Sequence, residues 1–179
     1  MAHRAAALRY EDLEAFPEDN TRREIIDGEL FVSPSPSLRH QEIVASLWAA
    51  FHAYGRTHDG KAYVGPVDVL LAEHDVVAPD VIYIAADRAT ILQEKAIFGA
   101  PSLIVEVTSS NRSRDRGKKL RLYARSGIPE YWIVDPKHPS IERCSDPVGE
   151  CYANVQIFTE TMNAATLPDL RIVIPELVD

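Results

Sequence analysis

Apolar residues recur at two spacings along the chain, and the spacing separates a predicted helix from predicted strands. Ile43, Leu47 and Phe51 follow one another every four residues between about 37 and 54, which is the interval of one helix face. Short apolar runs bounded by turn residues instead predict strands. These runs lie at 24–32, 61–72, 81–84, 103–107, 130–134, 141–143, 151–157 and 171–174.

Turn residues and shorter periodic segments complete the predicted architecture. Asp27-Gly28 lies between two short apolar runs and predicts a two-residue β-hairpin near the N-terminus. Short helices are expected at 10–17 and 87–94, and a longer one over 113–125 that ends before Gly127. The order of strands, helix, strands, helix and strands is typical of an α/β (mixed α+β) fold.

Composition and charge narrow the class of protein. The 179 residues fit one domain over 1–179, with enough chain to bury a core without disulfides. The net charge of -8 and the pI of about 5.2 argue against a protein that coats nucleic acid over its whole surface, although a local basic patch remains compatible. No apolar run is long enough to cross a membrane, and residues 1–10 lack the features of a signal peptide, so a cytoplasmic location is expected.

The two cysteines, Cys144 and Cys151, flank a Pro-Val-Gly turn and could face each other across a hairpin. In a cytoplasmic protein both are expected to be reduced. Two cysteines alone do not form a zinc site.

Two acidic residues in strand-like runs are candidates for chemistry. Side chains alternate along a strand, so Glu106 shares a face with Ile104 and must find a cation, a metal or strong donors if that face is buried. The alternative is a Glu on a solvent-exposed face or paired with an arginine. Asp80 begins a second apolar strand and would converge with Glu106 on a divalent cation such as Mg²⁺ if the strands are neighbours. Asp80 could alternatively cap a turn.

A basic segment follows the Glu106 strand. Asp115, Lys119 and Tyr123 are spaced four apart and therefore form one row of the predicted helix. Lys119 could point over the sheet and stabilise negative charge on a phosphate, or it could form an exposed ion pair with Asp115. The cations of the segment could contact phosphates or form a solvated helix face. They are Arg112, Arg114, Arg116, Lys118, Lys119, Arg121 and Arg125.

Several short motifs occur together in a defined order from about Tyr10 to Leu177. They are 24–30, His40-Gln41, Pro79-Asp80-Val81, 103–109, Asp115, Lys119, Tyr123 and 127–136. In this combination the chain resembles the Uma2 family of the PD-(D/E)xK nuclease superfamily. The order and spacing of many motifs, and not any one of them, make the resemblance specific.

The resemblance implies a restriction-endonuclease-like mixed sheet flanked by helices, together with the N-terminal hairpin. It also implies a metal-dependent endonuclease that hydrolyses DNA at a centre of Asp80, Glu106 and Lys119. Both acids and the Val107 carbonyl would bind Mg²⁺ or Mn²⁺, which would lower the pKa of a bound water. A homodimer is proposed only because symmetric dimers are the commonest assembly.

One position departs from the superfamily pattern, which places a lysine two residues after the second acid. Thr108 occupies that position here, and in the Uma2 pattern the basic role passes to the next helix, at Lys119. Lys118 is its competitor, about 100° round the helix. A module that binds nucleic acid or regulates without cleaving it is therefore the alternative function, and hydrolysis of RNA or a small phosphodiester is a third. A Lys119 Nζ close to both carboxylates would favour the enzyme, and one in solvent the binding module.

Glu24 and His40 also match positions of the family. Glu24 could be a further acid near the metal or half of a cross-strand charge pair in the hairpin. His40, at a predicted helix start, could be a ligand, although a cap or a loop contact is the more usual role. Tyr131-Trp132 is predicted to belong to a core strand and not to a base-stacking platform.

Overall fold

The structure is a computed structural model, and it describes residues 7–17, 19, 21–108 and 115–177. The helices are α1 (Tyr10–Glu14), α2 (Leu38–Thr57) and α3 (Leu120–Arg125), with 3-10 helices at Ala86–Ile91 and Pro175–Leu177 and a π-helical turn at Asp115–Lys119. The strands are β1 (Arg22–Ile26), β2 (Glu29–Ser33), β3 (Lys61–Val64), β4 (Val69–Ala72), β5 (Asp75–Val77), β6 (Val81–Ile84), β7 (Ile97–Phe98), β8 (Leu103–Val107), β9 (Glu130–Asp135), β10 (Ser140–Val148), β11 (Cys151–Phe158), β12 (Thr161–Asn163) and β13 (Arg171–Val173).

A six-stranded sheet, in the order β11-β10-β9-β8-β6-β3, forms the centre of the fold. Its inner strands β6, β8 and β9 are buried along their whole length, which suits their β-branched and aromatic side chains. Strand β8 is parallel to β9 and antiparallel to β6, so the sheet is mixed. A five-stranded sheet, β2-β1-β5-β4-β7, and the pair β12-β13 complete the strands.

Alternation along β8 divides the core into two layers. Val105 belongs to the layer that packs against α2, where Trp132 is fully buried. Ile104 belongs to the opposite layer, beneath α3. Burial of such side chains stabilises the fold by roughly 25 cal/mol per Å² of apolar surface. Because Glu106 has the parity of Ile104, its side chain projects into the layer beneath α3.

The hairpin of β1 and β2 turns at Asp27-Gly28, as predicted. The φ angles of Asp27 and Gly28 are 54° and 76°, the left-handed pair that a two-residue type I′ turn requires. A Cβ at Gly28 would lie 2.6 Å from the Ala7 Cβ, so only glycine fits this approach. Strand β1 also pairs with β5, which joins the hairpin to the five-stranded sheet.

The mixed α+β class is confirmed, and the strands divide among several sheets. The predicted run at 61–72 separates into β3, at the edge of the central sheet, and β4, in the five-stranded sheet. Strands β5, β7 and β12 were not predicted, since two or three residues carry too little periodicity to be recognised. The helix expected over 113–125 is a π-helical turn followed by α3, and residues 113 and 114 lie outside the described part of the chain.

The expectation that the two cysteines face each other is wrong. Cys144 lies opposite Val155 in the β10–β11 register, and Cys151 lies opposite Val148. Both are free, and burial raises the pKa of the Cys144 thiol to about 12. Among the described residues, no helix is both long and apolar enough to span a membrane.

Candidate active site

The register of two neighbouring strands brings Asp80 and Glu106 together. Val81 pairs with Val105 across the antiparallel β6–β8 ladder, and one further step along that register places Asp80 opposite Glu106. Both side chains are buried, at 5% and 3% exposure. The Val107 N–H donates to Asp80 Oδ2 at 2.7 Å. The predicted convergence of the two carboxylates therefore occurs.

Lys119 reaches Glu106 and a third acid, Glu24, from the π-helical turn. Its Nζ donates to Glu106 Oε1 and to Glu24 Oε1, each at 2.7 Å. The side chain is only 1% exposed, so it is not the surface ion-pair partner that was the alternative. Lys118, the competing neighbour, pairs instead with Glu29 at the surface. The structure thus brings Lys119, and not Lys118, to the buried acids.

Tyr123 completes the row predicted from the four-residue spacing. Its OH donates to Glu106 Oε1 at 2.7 Å. Burial, followed by the negative charges of Glu106 and Glu24, raises the pKa of Tyr123 well above its ordinary value. The phenol is therefore a neutral donor that fixes one oxygen of Glu106. The side chain of Asp115, the first residue of that row, lies outside what the structure describes.

Glu24 is a third buried carboxylate of the site. It projects from β1 and accepts a hydrogen bond from the Ala78 N–H at 3.0 Å, besides that from Lys119. Phe31 lies opposite it in the hairpin, so the cross-strand charge pair considered from the sequence is wrong. Burial opposes ionisation, but the charges of Lys119 and Arg22 lower the pKa of Glu24. Its Oε2 is buried without a hydrogen-bond partner among the described residues.

His40 lies in the first turn of α2 and contacts Asp80. Its Nε2 is 3.1 Å from Asp80 Oδ2. Its backbone N–H donates to the Ser37 hydroxyl at 3.2 Å, so Ser37 supplies the cap and the imidazole is free for the acid. The structure therefore places His40 behind Asp80, where it orients that carboxylate.

Arg22 is a residue of the site that the sequence patterns did not single out. Nη1 donates to Asp80 Oδ1 at 2.6 Å and Nη2 to Glu106 Oε2 at 3.1 Å. The sequence holds one signal for it: Arg22 precedes Glu24 by two residues in β1, so both side chains leave the same face of that strand.

Each acid of the Asp80–Glu106 pair uses its two oxygens differently. Asp80 Oδ2 is bound by His40 and the Val107 N–H, and Glu106 Oε1 by Lys119 and Tyr123. The other two oxygens, Asp80 Oδ1 and Glu106 Oε2, both face one guanidinium. Two oxygens are thus fixed by the protein frame, and two are turned to a single cation position.

Neighbouring donors and charges explain why Asp80 is ionised. Burial opposes ionisation of Asp80, but the hydrogen bond from His40 and the charge of Arg22 lower its pKa to about 2. Arg22 in turn has its pKa raised by Glu106, Glu24 and Asp80 against the opposing effect of burial. Three carboxylates and two cations leave this cluster with a net charge of -1, His40 not counted.

The donor set suits a hard divalent ion. Within the described residues, acidic, histidine and cysteine side chains form no enclosed cluster of three around a metal position. Mg²⁺ does not require one, because it is commonly held by one or two carboxylates and retains several waters. Asp80 and Glu106 supply two oxygens at one cation position, and the unpartnered Glu24 Oε2 shows spare acceptor capacity nearby.

A cavity of about 640 Å³ opens onto this cluster. Asp80, Glu106, Lys119 and Arg22 line one wall, and the segment 32–36 with the start of α2 lines another. The cavity therefore gives access from solvent to the acid pair and to Arg22, which covers two of its oxygens.

Comparison with known proteins identifies the family to which the chain belongs. Residues 9–175 match the model of the Uma2 family, which is described as a "putative restriction endonuclease". The chain belongs to the Uma2 family. A crystal structure described as a "putative nuclease belonging to DUF820", from Anabaena variabilis, shares the fold with a TM-score of 0.77 and 18% sequence identity, over 95% of this chain and 97% of that chain. No curated protein matches the chain.

In this Uma2 protein, position 108 cannot supply the lysine of the superfamily pattern. The Thr108 hydroxyl donates to the Val134 carbonyl at 3.1 Å, and its N–H donates to the same oxygen at 2.8 Å. The residue is thereby held against β9. The amino group at the acids comes instead from Lys119.

The basic segment does not form a free phosphate-binding patch where the structure describes it. Arg116 pairs with Glu142, Lys118 with Glu29, and Arg125 with both Asp27 and Asp75. Lys119 is buried, and Arg112 and Arg114 lie outside the described residues. Arg121 is exposed. Three of the described cations, Arg116, Lys118 and Arg125, therefore form ion pairs that join this segment to the surrounding strands.

Proposed function

We propose that this Uma2 protein is a metal-dependent endonuclease that hydrolyses DNA phosphodiester bonds. The observation that carries the proposal is that Asp80 and Glu106 each turn one oxygen to the same cation position while the other oxygen is fixed by internal donors. The family match and the cavity at this position support the same function.

Asp80, Glu106 and the Val107 carbonyl would hold Mg²⁺ or Mn²⁺. When bound, the ion lowers the pKa of a coordinated water and neutralises charge at the scissile phosphate. His40 and the Val107 N–H orient Asp80 for this task, and Tyr123 orients Glu106. Such supporting groups typically change metal affinity or activity by about 10- to 100-fold.

Lys119 would place positive charge beside the attacking water and the phosphate. Its ammonium lies between Glu106 and Glu24, which fix its position on both sides. A preorganised cation in a site of low polarity stabilises developing negative charge more strongly than one in water. The same burial argues against the non-cleaving nucleic-acid-binding or regulatory module, for which Lys119 was expected in solvent.

The experiment is cleavage of supercoiled plasmid DNA with Mg²⁺ or Mn²⁺, comparing the wild type with Glu106→Ala, Lys119→Ala and the surface control Lys118→Ala. We expect metal-dependent nicking by the wild type and by Lys118→Ala, and its loss in the other two variants. Nicking that survives Lys119→Ala would keep the nuclease and remove this lysine from its role. A folded wild type that nicks with neither metal would contradict the proposal and favour the binding module or a phosphodiester other than plasmid DNA.

A further inference from the structure

Arg22 lies on the two carboxylate oxygens that the proposed function assigns to a metal ion. Its Nη1 and Nη2 are 2.6 Å from Asp80 Oδ1 and 3.1 Å from Glu106 Oε2. A divalent ion needs the same lone pairs and carries a charge of the same sign. The ion and the guanidinium therefore cannot occupy this position together, and Arg22 has to move before a metal binds.

We propose that Arg22 is a displaceable occupant of the metal position, which holds the acid pair in place without the ion and sets the affinity of the protein for Mg²⁺ or Mn²⁺. This inference rests on the proposed metal-dependent function. Of the two cations on the acids, Arg22 has a path to leave: its side chain is 23% exposed, against 1% for Lys119. Its Nε has no hydrogen-bond partner among the described residues, so the site holds the guanidinium by its two terminal nitrogens.

A second cavity provides a destination for the displaced side chain. It has a volume of about 360 Å³, and Arg22 lines it as well as the first cavity. Asp68 and Glu14 lie on its wall. Burial, together with the negative charges of Glu14 and Glu24, raises the pKa of Asp68, which is expected of a carboxyl group in a negatively charged environment. A guanidinium turned into this cavity would gain the Asp68 carboxylate as it leaves Asp80 and Glu106.

Two consequences distinguish this role from a purely structural one. Replacement of Arg22 by an uncharged residue should tighten metal binding, because the ion no longer competes with the guanidinium or meets its like charge. It should also lower the stability of the metal-free protein, because Asp80, Glu106 and Glu24 would then share one cation. A residue needed only for folding would weaken metal binding when it is removed.

The test measures the Kd for Mn²⁺ by titration calorimetry and by the electron paramagnetic resonance of the free ion, with thermal unfolding recorded with and without Mn²⁺. The variants are Arg22→Met, Arg22→Lys and Asp68→Asn. Arg125→Met is the matched control, because it removes the same charge from a residue that pairs with Asp27 and Asp75 and lines neither cavity.

We expect Arg22→Met to lower the Kd by about tenfold or more, Arg22→Lys to lie between it and the wild type, and Arg125→Met to match the wild type. Asp68→Asn should raise the Kd by roughly a few-fold, since it removes the acceptor of the displaced state. Arg22→Met should melt below the wild type without Mn²⁺ and gain more than the wild type when Mn²⁺ is added.

A wild type that binds Mn²⁺ beside an Arg22→Met variant that binds it equally or more weakly would overturn this inference and leave the proposed function standing. Absence of Mn²⁺ binding by both folded proteins would overturn both proposals. Binding by Arg22→Met alone would overturn the inference, because Arg22 would then block the metal position instead of being displaced from it, and would also contradict a metal-dependent activity of the wild type.

Discussion

The two ends of the central strand pair β8–β9 each contain a buried glutamate, and the two are held in different ways. Glu130, at the first residue of β9, accepts from the Trp132 indole N–H at 2.7 Å, from the N–H groups of Ala165 and Thr166, and from the Thr166 hydroxyl. Glu106, near the end of β8, is bound by Lys119 and Arg22 as well as by Tyr123.

The two glutamates differ in the groups that donate hydrogen bonds to them. Within the described residues, every hydrogen-bond partner of Glu130 is a neutral group, and three of its four donors tie a later loop to the sheet, which is what a structural carboxylate requires. At the other end two of the three side chains that bind Glu106, Lys119 and Arg22, are charged, and Arg22 Nε, Glu24 Oε2 and His40 Nδ1 remain unsatisfied among the described residues. Burial alone therefore does not distinguish the acid that we propose to be catalytic from the structural one, whereas charged partners and incomplete hydrogen bonding do.

The sharpest way to break this comparison is to neutralise each glutamate without changing its size. Glu106→Gln should lower plasmid nicking by more than about a hundredfold, the loss that even supporting groups of a metal can cause. Glu130→Gln should lower the free energy of unfolding by about 3 kcal/mol, because an amide nitrogen would face donors that need an acceptor. Nicking rates per folded molecule and urea denaturation measure the two effects.

We expect the two variants to rank in opposite order for stability and for activity. Glu130→Gln should lower the free energy of unfolding more than Glu106→Gln does, but it should leave the nicking activity of the folded protein within a few-fold of the wild type. Equal losses of activity in both variants would show that the two ends of the strand pair do not differ in role.

A second experiment tests whether a lysine at position 108, where the superfamily pattern places one, can replace Lys119. In the double variant Lys119→Ala with Thr108→Lys, we expect no recovery of nicking, because Thr108 is bound to the Val134 carbonyl. A charge at this buried position should also cost more than about 2 kcal/mol of stability. Recovery of nicking to the wild-type rate would contradict the orientation of residue 108. Thr108→Val in the Lys119→Ala background is the control for the lost hydroxyl.

The pH dependence of the free energy of unfolding tests whether the charge of Asp80 stabilises the fold. Because the pKa of Asp80 falls from 3.8 to about 2 on folding, its carboxylate stabilises the fold above about pH 4, and this contribution is lost as the pH falls toward 2. The contribution of Asp80 to the free energy of unfolding that is lost in this way amounts to about 2 kcal/mol. Asp80→Asn should therefore lose less stability than the wild type between pH 4 and pH 2, as measured by urea unfolding. Parallel profiles for the two proteins would refute the lowered pKa.

The smallest effect is expected at the surface ion pairs of Arg125, which join the hairpin to α3 outside the site. Arg125 is 30% exposed and bonds Asp27 and Asp75. Arg125→Ala should lower the free energy of unfolding by less than about 1 kcal/mol, and by less again at high salt. A loss as large as that of Glu130→Gln would show that exposed charge pairs matter as much as the buried acids.

Much of the fold follows from patterns within short windows of sequence. The run Leu103–Val107 predicts a strand buried on both faces, and Asp27-Gly28 predicts the hairpin, since each depends only on neighbouring residues. The division into sheets does not follow, because β3 and β4 are separated by a few residues and differ in partners that lie far along the chain.

The candidate site likewise contains residues that the sequence predicts and residues that it does not. Asp80, Glu106 and Lys119 could be named from the sequence because they match motifs, and the structure brings their carboxylates and amino group to one cluster. Arg22 could not be named from the sequence, because its partners are 58 and 84 residues away in the chain. The ion pairs of Arg116 and Lys118 could not be predicted for a related reason, because their acidic partners Glu142 and Glu29 belong to strands that lie far away in the chain.

The β6–β8 register has a consequence for how the chain tolerates insertions and deletions. The pairing of Val81 with Val105 places the acids, so the irregular segments on either side of β7, between β6 and β8, do not set their separation. These segments can therefore lengthen or shorten among relatives while the acids stay opposite each other. A single residue added within β8 would instead turn Glu106 to the α2 side of the sheet. Natural length variation in this family should accordingly concentrate between these strands and spare the strands themselves.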